Sequence, residues 1–160
     1  MKKFFLLFSL FLIISIHGQE KVLLNKGEIT IPIGQKIILQ PEIRNNTIIG
    51  FTMIQDQKTI DSIDLMEMFK NLEKDKITDN SIEMTFSEAY MTNTPLFVLI
   101  TVQKTGKKMN FKAKMRLKGS STYTSTSILP VISNATSVEQ WKDPIDSIIL
   151  YDFKLEPFKK

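Results

Sequence analysis

Cysteine is absent from the 160-residue chain, and histidine occurs once, at His17. Without thiols no disulfide framework can form, so stability must come from packing alone. His17 lies in an N-terminal stretch expected to be removed, leaving a working chain with neither imidazole nor thiol. That excludes Ser–His and Cys–His nucleophile pairs, ordinary histidine general bases and most zinc sites. Glycine is sparse and scattered, at 27, 34, 50, 106 and 119 beyond the leader. No glycine cluster precedes a helix, so a phosphate cradle is unsupported and no nucleotide is expected. Acidic residues are missing locally: residues 89–138 hold seven Lys or Arg and no Asp or Glu.

The chain begins MKKFFLLFSLFLIISIHGQ. Lys2 and Lys3 precede an apolar run from Phe4 to Ile16, and a polar exit follows, the pattern of a secretory signal peptide. The run is shorter than the roughly 20 residues a membrane-spanning helix needs. We expect residues 1–18 to be a cleaved signal and residues 19–160 to form a single β-rich domain. The product would be exported, periplasmic or extracellular, with no stable membrane anchor. Removing Lys2 and Lys3 lowers the formal charge from +4 to +2, so the total charge implies no general attraction to polyanions.

Short apolar runs separated by turn residues dominate what remains, as in all-β domains. GEITIPIG, QKIILQPEI, NTIIGFTMIQD, NSIEMTFSE, PLFVLITVQ, NFKAKMRLKG and IDSIILYDFKL are read as about seven strands. The expectation is mainly β: an antiparallel β-sandwich, with a partly open β-barrel as the alternative. PLFVLITVQ is apolar on both faces, which suits a central strand covered on both sides. One segment has helical spacing instead. Leu65, Met68, Phe69 and Leu72 form a stripe, with acids early and lysines late, predicting an amphipathic helix near 62–75.

Candidate chemistry is thin. Asp143 and Asp146 in DPID could form a carboxylate pair, but an Asp-Pro turn explains them. Asp79, Asn80 and Glu83 lack the loop and central glycine of a calcium site. No metal, no cofactor and no enzymatic activity are expected. Asp-Ser-Ile occurs twice, at 61–63 and 146–148, a tripeptide of the kind that accepts O-linked sugars on some exported proteins.

The feature with most character is NFKAKMRLKG. Phe111, Ala113, Met115 and Leu117 alternate with Lys112, Lys114, Arg116 and Lys118. The apolar side alone justifies the strand, since burying each large side chain is worth roughly 1.5–3 kcal/mol. If Thr105 and Gly106 formed a two-residue hairpin turn, Lys112 and Lys114 would sit beside Leu99 and Phe97, on a face without acids. Relief would then come from Asp146 or Asp152 on the last strand, or from a ligand. Trp141 and Tyr123 are secondary aromatic candidates that could stack on sugar rings, although a lone Trp usually packs over a core with its N–H paired.

The functional expectation is a non-enzymatic binding or interaction module recognising a protein or glycan surface. A polyanion binder using the cationic strand is the second reading, and a small periplasmic inhibitor or immunity protein the third.

Overall fold

The computed structural model describes residues 21–59, 61–71 and 78–158. The signal peptide expected over 1–18 and the far end of the expected helix lie outside them. Among the described residues eleven strands and one short helix form, where about seven strands were expected. All seven runs read from the sequence are strands. The added ones, Leu23–Asn25 (β1), Ile63–Asp64 (β5), Thr124–Thr126 (β9) and Thr136–Trp141 (β10), are too short or too polar for alternation to reveal. The others are Glu28–Pro32 (β2), Gln35–Arg44 (β3), Thr47–Lys58 (β4), Ile82–Met91 (β6), Thr94–Gln103 (β7), Lys108–Leu117 (β8) and Ile145–Glu156 (β11).

Pairing is antiparallel except for β5, which lies parallel to the end of β6. The strands form two arms of one open sheet, β1-β2-β11-β8-β9 and β4-β3-β6-β7-β10. The arms join where Lys154 of β11 pairs with Thr47 of β4 and the Leu155 N–H donates to the Asn46 carbonyl at 2.7 Å. The sheet does not close on itself, which sets aside the barrel.

One core fills the space between the arms, as in a sandwich. Ile29, Ile31, Phe111, Leu150 and Phe153 come from one arm, and Ile37, Leu39, Met84, Phe86 and Leu99 from the other. Phe153 ties them together: its ring stacks on Phe111 and meets Phe51 of β4 edge-on, each at 5.1 Å between centroids. Aromatic pairs of this geometry add about 0.5–1.5 kcal/mol beyond their burial.

Chain crossings between arms occur at tight corners. After β2, the Ile33 N–H donates to Asp146 in one arm and the Gly34 N–H to Phe86 in the other, both at 2.8 Å. Gly34 sits at φ +77°, where any Cβ is strained. The second corner follows β7. Gln103 is fully buried; its Oε1 accepts from the Thr105 N–H (2.9 Å) and hydroxyl (2.6 Å), and its Nε2 donates to the carbonyls of Lys107 (2.6 Å) and Val131 (3.1 Å). This one side chain shapes the turn that carries the chain from β7 into the opposite arm.

The helix, Leu65–Lys70 (α1), starts later than residue 62. Ile63 and Asp64 are instead held as a strand against Ala89 and Tyr90. Asp64 caps the helix, its Oδ1 accepting from the N–H groups of Met66 (2.9 Å) and Glu67 (3.2 Å). Leu65 and Met68 pack with Ala89, Leu96 and Val98 on the outer face of β6 and β7, while Phe69, expected in the buried stripe, is exposed. With Leu99 in the main core, β7 is covered on both faces, as its doubly apolar sequence implies. Among the described residues no helix is long and apolar enough to cross a membrane.

Candidate binding face

β8 alternates as its sequence requires up to Met115, but Leu117, expected on the buried side, is exposed where the register with β11 shifts between Ile145 and Ser147. Phe111 and Ala113 are buried, and Lys112 and Lys114 point to the exposed side. Its neighbours differ from the expected hairpin: β7 pairs with β6 and β10, whereas β8 pairs with β11 and β9. The cause is the Gln103 corner, which sends the two strands into different arms. Phe97 and Leu99 therefore do not share a face with the lysines. Leu99 lies in the main core opposite Phe86, and Phe97 packs half-buried against that core, in register with Glu88 on one side and Trp141 on the other.

The face that β8 does build is shared with β11. Lys112 is in register with Tyr151, Lys114 with Ile149 and Arg116 with Ser147. Lys114 Nζ lies over the Tyr151 ring at 5.2 Å, and the Arg116 guanidinium over the Tyr123 ring at 5.5 Å. Tyr123 is braced by a hydrogen bond between its hydroxyl and Ser147 Oγ, 2.7 Å, above a serine with no exposed surface. Lys118, exposed, closes the row where its N–H donates to the Pro144 carbonyl. Cations and tyrosines thus interleave along one sheet surface.

Acid enters at one end. β11 bulges between Tyr151 and Lys154, and Asp152 occupies the bulge at φ 57°. Asp is among the few residues that tolerate this left-handed conformation. The bulge lets Phe153 point inward while Asp152 Oδ2 reaches Lys112 Nζ (2.8 Å) and Oδ1 reaches Lys154 (3.2 Å). The Lys112 hydrogen bond, followed by that from Lys154, holds the Asp152 carboxyl below its usual range. Asp152 in turn pushes the Lys112 ammonium up, first by hydrogen bonding and then by its charge. Of the two acids named from sequence, Asp152 supplies the relief.

Trp141, on β10, is half-buried against the core, and its Nε1–H donates to Thr126 Oγ1 at 3.0 Å. It is not part of the cationic row. Of the residues considered for calcium, Asp79 Oδ1 accepts the Ser81 N–H at 2.8 Å and Glu83 pairs with Lys36 at 2.7 Å. Among the described residues no group of three or more His, Cys, Asp and Glu could hold a metal ion.

A second concavity escaped the sequence. Beside β6, in the gap between the start of β3 and β5, two adjoining pockets of about 170 and 190 Å³ share Ser62 and Glu88 as walls. Their residues are drawn from four separated segments, so no local spacing announces them. No protein-family model, curated protein or solved structure matches the chain.

Proposed function

We propose that the chain is an exported, non-enzymatic binding module whose β8–β11 face receives an acidic glycan. The observation that carries this reading is the interleaving of Lys114 and Arg116 with Tyr151 and Tyr123 on one exposed sheet surface. Cations supply attraction to carboxylate or sulfate groups, and amphipathic rings supply flat contact for sugars. Among the described residues Asp152 pairs with Lys112, at one end of the row. Lys114 and Lys118, whose side chains are exposed, are the cations best placed to meet a ligand anion.

Heparin chromatography tests the reading. The K114Q/R116Q/K118Q variant should bind about tenfold more weakly at low salt, with the difference shrinking as salt screens the face. Asp152→Asn, which withdraws the internal competitor for Lys112, should elute at higher salt than the parent. Identical elution of all three proteins would overturn the proposal.

A further inference from the structure

From the geometry beside β6 we propose a second, separate ligand site: a pocket for a neutral hydroxylated ring, such as an uncharged monosaccharide unit. Two adjoining pockets of about 170 and 190 Å³ meet at Ser62 and Glu88. The first is polar, with Asp61, Ser62, Ser87 and Glu88 in its wall, and the second adds the apolar surfaces of Phe97, Pro95 and Tyr90. No lysine or arginine lines either one among the described residues.

Ser87 narrows the ligand class. It is only 3% exposed, and its Oγ accepts a hydrogen bond from Thr59 at 3.2 Å. With Thr59 as the donor in that bond, the Ser87 hydroxyl can turn its own proton toward the cavity it lines. An occupant matched to this wall brings an acceptor to Ser87 and donors to the carboxylates of Asp61 and Glu88. Ammonium and guanidinium groups donate but cannot accept, so a basic side chain satisfies only half of the wall. A carboxylate or sulfate accepts but is repelled by Asp61 and Glu88. A hydroxyl both donates and accepts, and a ring bearing several, with an apolar face for Phe97 and Pro95, satisfies every group.

The site does not depend on the cationic face and should be separable from it. The test is saturation-transfer difference NMR on the protein at millimolar concentrations of the methyl glycosides of glucose, galactose, mannose and N-acetylglucosamine. At least one should receive magnetisation on its ring protons. Ser62→Trp, which fills the wall common to both pockets, should abolish the transfer. The D61N/E88Q pair, which keeps shape but removes charge-assisted acceptors, should weaken binding about tenfold. Asp61, Ser62 and Glu88 are all exposed, so both variants should melt at the parent's temperature. K114Q/R116Q/K118Q should bind the sugar like the parent, whatever its behaviour on heparin. The proposal is overturned if no glycoside of the panel receives transfer, if transfer survives Ser62→Trp, or if methylammonium or heparin competes for the same protons.

Discussion

At the scale of single residues, Gln103 and Asp64 show how much one polar side chain organises. Gln103 is buried with all its hydrogen-bonding capacity engaged within the second corner. Gln103→Leu keeps the volume but strands the Thr105 donors and the Lys107 carbonyl, while the Val131 carbonyl keeps the Met109 N–H at 2.8 Å. Each unmet buried group costs about 1–3 kcal/mol, and partial access to water brings the expected total loss to roughly 2–4 kcal/mol. Urea denaturation should show it as a lowered midpoint with little change in slope. Asp64 acts on a phenol as well as on a helix. Its negative charge beside Tyr90, with some burial and a hydrogen bond, pushes that hydroxyl above its ordinary value. Asp64→Asn retains the cap and removes the charge, so ultraviolet titration of the phenolate should show one tyrosine returning toward its usual range. Asp64→Ala should in addition cost about 1 kcal/mol through the lost cap.

Among the elements, β11 has the most to explain, because its bulge at Asp152 serves both the core and the surface. The extra residue flips the alternation so that Phe153 and Leu155 return to the interior. It also aims a carboxylate at Lys112 and Lys154. Since the folded carboxyl of Asp152 lies below its unfolded value, its contribution is complete above the ordinary aspartate range and is lost as pH falls through the lowered folded value. Lys112 runs the other way. Its folded value is raised, so its contribution is present below the ordinary lysine range and is lost as pH rises through the raised one. Asp152→Asn should flatten the acid limb of a stability-against-pH curve below about pH 4, while still accepting the left-handed backbone. Asp152→Val should instead destabilise at every pH, since a β-branched residue at φ 57° is strained. The bulge has no turn-like signature in YDFK. The alternation of Ile149, Tyr151, Phe153 and Leu155, read without it, places all four on one face, whereas the structure buries Phe153 and Leu155 and leaves Ile149 and Tyr151 half-exposed.

For the whole molecule, the decisive fact is which strands become neighbours. A two-residue hairpin at Thr105 and Gly106 would set Lys112 near Leu99; the observed topology sets it opposite Tyr151. Because the parent has no cysteine, introduced pairs report cleanly. Antiparallel partners have Cα atoms about 4.5–5.5 Å apart, within disulfide reach. K112C/Y151C should therefore oxidise to a faster-migrating monomer on a non-reducing gel, while K112C/L99C should not. Linking β8 to β11, and β2 to β11 near the opposite end of the chain, also requires long loops to close before contacts reward them. Refolding should accordingly fall in the millisecond-to-second range typical of non-local β topologies, as followed by stopped-flow tryptophan fluorescence of Trp141.

The strands that bury one face were legible in the sequence, because period-two burial writes itself into side-chain order: PLFVLITVQ and the stretch from Phe111 to Lys114 have the faces their letters imply, whereas Leu117 does not. The absence of cysteine was equally local, since a missing thiol removes chemistry whatever the fold. Adjacency was not legible. Whether Lys112 meets Leu99 or Asp152 depends on a corner whose geometry is made by the buried side chain of Gln103, and on a bulge that Asp152 permits. The pocket at Ser62 and Glu88 likewise exists only because the start of β3 and β5 leave a gap along β6. Alternation is a one-dimensional property of a strand, whereas a binding face is made by strands distant in sequence, and only folding brings those together.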